Sequence, residues 1–361
     1  MENKTKNSNI RQLLFKILQL IFFLGLGLFF VWLSFRGLEY EDKLAMRESI
    51  AQVKHPMSWG FLILSFAVTA LAHYFRALRS IILIEPLQYK VRKNMSFYGV
   101  MVCYLANLAF PRLGEILRCT FLQQYEKVPF QKSLGTIVTE RAIDLILWMI
   151  FLLIAIFINT TVLSQLIIDR EKGISLGMWL ENSGKSLLAN YWFYTGVVFV
   201  IILSVIIYLI RHKWGKNLFF VKIKNFLHGI WQGLISVKNV KHPGIFIFYT
   251  LMIWVCFFLG TYFCFFAFDF LRGLGPVSAF SVLVFGAIGF MVAQGGLGAY
   301  PLVVAGVVVL YGVDYSAALA AGWVGWSVQT VMVILVGLAS LILASLTDRK
   351  DNKNTPIVLK S

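Results

Sequence analysis

The sequence predicts an all-α, polytopic transmembrane helical bundle with about six full spans and two shorter, interrupted hairpins. Hydrophobic residues make up 59% of the 361 residues and charged residues only 14%, a balance that would leave a soluble fold coated with apolar surface. A spanning helix needs about 20 mostly apolar residues. Runs of this kind are found at Leu13–Phe35, Ser58–Phe75, Ile137–Ile158, Tyr191–Ile210, Gly244–Phe268 and Ser316–Leu346.

Residues 1–347 are expected to form a single transmembrane domain, followed by a short cytoplasmic tail at 348–361. The first apolar run follows basic residues, as in a signal peptide, but it is too long for one and has no small-residue cleavage site after Phe35. In a soluble protein, the net charge of +16 would suggest binding to nucleic acid. Because the basic residues lie between apolar segments, anionic membrane lipids are the expected partners, and nucleic acid is not.

The positions of lysine and arginine predict the orientation in a bacterial inner membrane. Both residues are concentrated near the N-terminus, at 76–93, at 211–241 and in the C-terminal tail. These regions are predicted to be cytoplasmic, so both termini are expected on that side. Residues 213–241 interleave apolar side chains with lysines, which favours a basic amphipathic helix on the cytoplasmic surface. A helix packed against the bundle is the alternative.

Two shorter apolar stretches, Ser96–Phe110 and Val277–Ala293, end in Pro- and Gly-rich breaks. They belong to the hairpin regions Ser96–Gln124 and Val277–Val313. The basic regions on either side of the first one require it to enter the membrane and return. The same reasoning predicts a second re-entrant or broken-helix hairpin that enters from the outer side. Interrupted hairpins that enter from opposite faces are typical of an inverted repeat with a binding site near the membrane midplane.

The break in the first hairpin concentrates charge. Pro111 is expected to end the incoming helix, and a new helix from near Arg112 would carry Arg112, Glu115 and Arg118 on one side. Charges at depth cost roughly 2.5–3.5 kcal/mol each, so they pair or line a polar cavity. A helix N-terminus beside two guanidinium groups is well suited to bind a phosphate group. The alternative is a cytoplasmic loop whose charges form ordinary pairs.

A second charged group lies near the start of the run that ends at Ile158. The spacing of Glu140 and Asp144 brings both acids onto one helix face, and Arg141 is within reach of Asp144. The acids are candidate partners of Arg112 or Arg118. The alternative is a cytoplasmic helix end that carries ordinary surface charges.

The tip of the second hairpin is rich in glycine. Gly295, Gly296 and Gly298 allow a tight turn that exposes backbone amides to a ligand, and Pro301 can start the returning helix. Such backbone is tolerated in a membrane only where it is buried in protein or faces a wet cavity. A purely structural turn is the alternative.

Other residues carry weaker signals. His73, Arg76 and Arg79 lie at the predicted cytoplasmic end of the second span, where headgroup contact is conceivable and interfacial snorkelling is the favoured interpretation. The four cysteines lack metal-like spacing and are expected to be small core residues. No nucleotide-binding, zinc or hydrolase motif is found. The sequence therefore predicts neither enzyme activity nor a cofactor or metal.

Taken together, these motifs resemble the membrane domain of lysyl-phosphatidylglycerol synthase/flippase proteins and the broader flippase-like bacterial membrane family. The matching elements, in chain order, are Asn107 with Pro111, Arg112, Gly114, Glu115 and Arg118, then Glu140, Arg141 and Asp144, then Gly295, Gly296 and Gly298. The resemblance covers about Arg76 to Leu346. It implies a helical bundle with re-entrant segments that moves or accommodates phospholipid or polyprenyl-linked headgroups. Because the sequence ends at Ser361, no aminoacyl-transferase domain is expected.

The leading hypothesis is a lipid translocase without enzyme activity. Arg112 and Arg118 would bind an anionic headgroup, and the glycine tip would form the opposing side of the cavity. Glu115, Glu140 and Asp144 would orient the arginines or meet a cationic substituent. A second hypothesis is an accessory subunit that presents a lipid-linked intermediate to a separate transferase. A third is a secondary transporter whose buried acids relay protons. The lipid, the direction of movement and the oligomeric state stay open.

Overall fold

The computed structural model describes residues 25–36, 38–110, 112–159 and 240–354, without the side chains of 348–354, and the regular elements in these ranges are helical. A helical turn at Asp269–Arg272 and 3-10 turns at Glu85–Leu87 and Gln294–Gly296 join some of them. The helices are α1 (Gly25–Phe35), α2 (Tyr40–Gln52), α3 (Pro56–Ile84), α4 (Lys93–Ala109), α5 (Leu113–Glu126), α6 (Phe130–Ile158), α7 (Pro243–Phe265), α8 (Pro276–Val292), α9 (Ala299–Val309) and α10 (Tyr315–Asn354).

Four of these helices, namely α3, α6, α7 and α10, are long and apolar enough to cross a membrane. Each corresponds to one of the predicted spans, and the chain is a multi-pass membrane protein. The helix α1 covers the last part of the predicted first span. The predicted span Tyr191–Ile210 lies outside the described residues, as does nearly all of the predicted amphipathic segment 213–241. The total of six spans therefore stays a prediction.

The helix α3 departs most from its predicted boundaries. Pro56 occupies its first turn, where a proline loses no helical hydrogen bond, and the helix continues nine residues beyond the expected end at Phe75. At 29 residues its length is about 43 Å, which exceeds the hydrocarbon thickness of about 30 Å. The preceding connection, 37–57, contains the helix α2.

Both predicted hairpins are pairs of packed helices separated by a break. Between α4 and α5, Phe110 is extended, as expected of a residue before a proline, and Arg112 has a φ of +62°. Pro111 itself lies outside the described residues. Between α8 and α9, Ala293 is extended and Gly295, Gly296 and Gly298 have positive φ values. Glycine adopts this conformation without steric cost, so the sequence encodes the second break directly.

The helices of the two halves of the chain are packed against each other. The helix α3 lies along α7, where Ser65 Oγ donates a hydrogen bond of 2.7 Å to the carbonyl of Gly260. The first hairpin contacts α10 through α4, and the second contacts α6 through α8. Trp148 on α6 donates to the carbonyl of Val284 at 3.0 Å, and Asn159 donates to Ser281 at 2.8 Å. Each hairpin thus rests on the long helix that follows the other hairpin.

Candidate functional site

Charged side chains from α3, α5 and α6 meet inside the bundle. Arg76 and Arg79 of α3 are buried although the helix is otherwise largely apolar. Arg79 donates two hydrogen bonds to the Asp144 carboxylate, from Nη1 to Oδ1 at 2.6 Å and from Nη2 to Oδ2 at 3.0 Å. Arg76 Nη2 lies 3.4 Å from the same Oδ2. Charge-assisted pairing of this kind offsets the cost of placing arginines at depth.

A second buried pair joins α5 to α6. Arg118 Nη1 and Nη2 each lie 3.1 Å from an oxygen of the Glu140 carboxylate, and Nη2 also donates to Ser80 Oγ at 2.7 Å. The two charged side chains are only 5% and 3% exposed. The predicted partnership of Glu140 with Arg118 is therefore confirmed. A bidentate pair so far from water holds α3, α5 and α6 in one fixed arrangement.

Tyr104 of α4 connects the basic side chains of this cluster. Its hydroxyl accepts a hydrogen bond from Arg76 and lies 3.5 Å from Arg141 Nη1. The ring of His73 packs against the Tyr104 ring in a tilted arrangement, with 4.4 Å between the ring centroids. The Arg76 guanidinium carbon lies 5.3 Å from the Tyr104 centroid, within the range of a cation–π contact. One aromatic side chain thereby contacts both α3 and α6.

Asn107 organises the break of the first hairpin. Its Oδ1 accepts a hydrogen bond from the Gly114 backbone N–H at 2.8 Å, and its Nδ2 donates to Glu115 Oε1 at 3.3 Å. Arg141 Nη2 lies 2.9 Å from the same Glu115 oxygen. The side chain of Arg141 is 43% exposed and that of Glu115 is 21% exposed. This side of the cluster is therefore accessible from outside the bundle.

The two breaks lie against each other. The Gln294 side chain donates a hydrogen bond to the backbone carbonyl of Asn107. A Cβ built on Gly295 would lie 3.1 Å from Leu108 Cδ2, and Trp326 Nε1 donates to the Gly295 carbonyl at 2.8 Å. The glycine turn thus forms a wall beside Asn107, and α10 holds it there.

The other two glycines of the turn have packing contacts away from the charged cluster. A Cβ on Gly296 would lie 2.7 Å from the Phe290 ring, and one on Gly298 would lie 2.4 Å from the backbone nitrogen of Val31. Both positions therefore need glycine for close packing as well as for their positive φ values. These contacts place Gly296 and Gly298 among neighbouring helices rather than next to Arg118 or Arg141.

The cluster carries an excess of positive charge. Four arginines, Arg76, Arg79, Arg118 and Arg141, pair with three carboxylates, Glu115, Glu140 and Asp144, which leaves one formal positive charge. Among the described residues, Arg76 Nε, Arg79 Nε, His73 Nδ1 and Glu115 Oε2 are buried without a hydrogen-bond partner. Buried polar atoms usually have partners. The arrangement is chemically suited to an anionic group, while no set of three metal-ligating side chains converges in these ranges.

Residues 16–337 match the family model of the lysylphosphatidylglycerol synthase TM region. The chain belongs to this family. No curated protein and no solved structure matches it. The matched region is the membrane region of the lysylphosphatidylglycerol synthase family, and it contains every residue of the charged cluster and of the glycine turn.

In this member of the lysylphosphatidylglycerol synthase TM region family, most of the predicted site residues lie together. The charged cluster contains Asn107, Gly114, Glu115, Arg118, Glu140, Arg141 and Asp144, and Gly295 lies beside it. The predicted contact between Arg141 and Asp144 is not formed. Asp144 pairs with Arg76 and Arg79, while Arg141 pairs with Glu115.

Arg112 departs from its predicted position. It precedes α5 with a left-handed backbone conformation, so it does not share the helix face of Glu115 and Arg118. Its side chain is exposed, and neither an ion pair nor a hydrogen bond of that side chain is found among the described residues. Of the two candidate partners of the acids, Arg118 pairs with Glu140, whereas Arg112 pairs with neither acid and Asp144 pairs with neither candidate.

Sequence reasoning missed three of the basic residues and their aromatic neighbour. His73, Arg76 and Arg79 were interpreted as interfacial because the span was expected to end at Phe75. The apolar residues at 81–84 carry the signal that the helix continues, which makes these basic residues internal. Tyr104 had no distinguishing signal, because its role depends on the packing of α3 against α4.

Proposed function

We propose that this chain is a flippase-like membrane protein that binds and translocates lipids with an anionic phosphate headgroup, on a phospholipid or a polyprenyl carrier. The observation that carries the proposal is the buried cluster with one excess positive charge beside the meeting point of the two hairpin breaks. An anionic phosphate would neutralise this charge. In a membrane interior, where charges are costly, that neutralisation favours binding.

The contacts support different roles for the arginines. Arg118 is almost fully buried and bonded to Glu140 and Ser80, so it positions the cluster and has little freedom to bind a ligand. Arg141 is half-exposed and shares Glu115 with Asn107. Arg112 is exposed at the break. Arg112 and Arg141 are therefore the proposed contacts of the phosphate, and Glu115 would orient Arg141 or meet a cationic substituent of the headgroup.

The two hairpin breaks support the proposal that the backbone near the headgroup site moves during translocation. At each break the helical hydrogen bonds are interrupted, and the two breaks are joined through the side chain of Gln294 and the carbonyl of Asn107. Separation of this contact would change access to Asn107 and Glu115 without unfolding a long helix. Such interrupted segments line substrate sites in transporters built from repeats.

A vesicle assay tests the proposal. The purified protein is reconstituted with phosphatidylglycerol that carries a fluorophore on its headgroup, and dithionite added outside measures how fast lipid from the inner leaflet becomes accessible. The Arg112→Gln/Arg141→Gln variant is expected to translocate at least about tenfold more slowly, because each hydrogen bond to a charged group contributes about 1.5–3 kcal/mol and about 1.4 kcal/mol is a factor of ten. The matched control is Lys90→Gln, which removes an exposed cation in the connection between α3 and α4.

Equal rates for the wild type and the double variant would contradict the assigned contacts. A wild-type protein that retains the labelled lipid but does not translocate it would contradict the flippase activity. It would favour an accessory subunit that presents a lipid-linked intermediate to a separate transferase.

A further inference from the structure

An apolar cleft lies between α2, α3 and α10, away from the charged cluster. Its volume is about 620 Å³, within the range of roughly 300–1,000 Å³ typical of ligand sites. One wall is the face of α3 from Trp59 to Phe66, and the other is the face of α10 from Val324 to Val331. Apart from Ser327 and Lys54, the lining side chains are hydrophobic.

The length of the cleft fits within one leaflet of a bilayer. Its walls, from Trp59 to Phe66 on α3 and from Val324 to Val331 on α10, each cover seven residue steps, over which a helix rises about 10 Å. One leaflet of the hydrocarbon core is about 15 Å thick. The cleft is therefore long enough to hold a large part of one acyl chain.

A cation lies at the water-facing end of this cleft. Lys54 lines it in the turn between α2 and α3, and its side chain is exposed. No ion pair of Lys54 is found in the parts of the chain that the structure describes. An exposed ammonium group at the end of an apolar cleft complements a phosphate attached to a hydrocarbon chain.

We propose that this cleft is a binding site for one anionic phospholipid, with an acyl chain between α3 and α10 and the phosphate at Lys54. The site is distinct from the charged cluster, because Arg79 lies about 35 Å from Pro56 along α3. It does not depend on the proposed translocation. The lipid would belong to the leaflet that α2 borders.

Native mass spectrometry of the delipidated protein tests this site. The protein is titrated with phosphatidylglycerol and with phosphatidylcholine of the same acyl chains. The wild type is expected to retain phosphatidylglycerol in preference to phosphatidylcholine. Ser327→Trp, which fills the cleft from an exposed position, should retain one phosphatidylglycerol fewer than the wild type. Lys54→Gln should reduce the preference for phosphatidylglycerol by about fivefold.

Two control variants match these changes. Leu335→Trp adds the same ring on an exposed part of α10 outside the cleft, and Lys43→Gln removes an exposed lysine of α2. Both should bind lipid as the wild type does. The Arg112→Gln/Arg141→Gln variant should also retain the lipid of this cleft, which separates this proposal from the headgroup site.

Equal numbers of bound phosphatidylglycerol molecules in the wild type and Ser327→Trp would overturn the proposal. Equal affinity of the wild type for the two lipids would overturn the role of Lys54. Absence of any retained lipid in the wild type would overturn the site as a whole, and would indicate that another part of the chain covers it.

Discussion

In the Arg118–Glu140 pair, a large cost of removing two charges from water opposes a large electrostatic attraction between them. Both side chains are almost completely removed from water, which costs several kcal/mol for each ion, and the bidentate contact offsets that cost. Removal of one partner leaves the other charge buried and uncompensated. Replacement of both partners by apolar side chains removes the desolvation cost together with the attraction.

Glu140→Leu is therefore expected to lower the free energy of unfolding by about 3–5 kcal/mol. The double variant Arg118→Met/Glu140→Leu should lose much less of the free energy of unfolding, because neither charge of this pair is left without its partner. The measurement is the denaturation of the purified protein in detergent, followed by circular dichroism. Glu85→Gln is the control, since its pair with Lys241 is exposed and such pairs contribute about 0–1 kcal/mol.

A double variant as unstable as Glu140→Leu would contradict this explanation. It would indicate that the shape of the two side chains, rather than their charge, holds the helices together.

The pairing of individual residues was only partly predictable from sequence. The spacing of Glu140 and Asp144 indicated two acids on one face of a helix, and Arg118 was one of two named candidates for a partner. Arg79 and Asp144 are 65 residues apart, and only the packing of α3 on α6 brings them together. Helical spacing carries no information about a contact of this kind.

At the scale of helices, each hairpin depends on a glycine that lets its two helices approach closely. A Cβ on Gly114 of α5 would lie 2.0 Å from the carbonyl oxygen of Cys103 on α4. A Cβ on Gly289 of α8 would lie 2.5 Å from Tyr300 Cα on α9. In both cases the neighbour is backbone, which cannot move aside without a shift of the whole helix.

Gly114→Ala and Gly289→Ala are each expected to destabilise the protein by about 1–3 kcal/mol, the usual cost of overpacking. Gly306→Ala in α9 is the control, because nothing lies within 4 Å of a Cβ built there. That change should be neutral or stabilising by up to about 1 kcal/mol. The measurement is the same denaturation experiment. A loss in Gly306→Ala equal to that in Gly289→Ala would contradict the packing argument.

At the scale of the whole molecule, the two halves have similar orders of helices. A long helix, a broken hairpin and a second long helix occur as α3–α6 and again as α7–α10. Within this order, α3 packs on α7, α4 on α10 and α8 on α6. Two repeats related by a two-fold axis would exchange contacts in this way, and the inversion of one repeat relative to the other stays a prediction.

The predicted orientation can be tested by cysteine labelling. The helix α3, about 43 Å long, separates Lys54 from Lys90. In a variant without the four native cysteines, Lys54→Cys should react with a membrane-impermeant maleimide added outside intact cells. Lys90→Cys should react only after the cells are permeabilised, because lysine- and arginine-rich connections stay in the cytoplasm. The opposite pattern would contradict the orientation with cytoplasmic termini.

The sequence by itself determined that this chain is a multi-pass membrane protein and where both hairpins break. These properties are local, because hydropathy acts over about 20 consecutive residues, and proline and glycine act on the backbone at their own positions. The tertiary structure alone decided that α3 extends into the charged cluster, that Arg112 lies outside it, and that Arg76 and Arg79 share Asp144. Those outcomes depend on helix packing between distant residues, and an ion pair forms only where packing brings the two charges together.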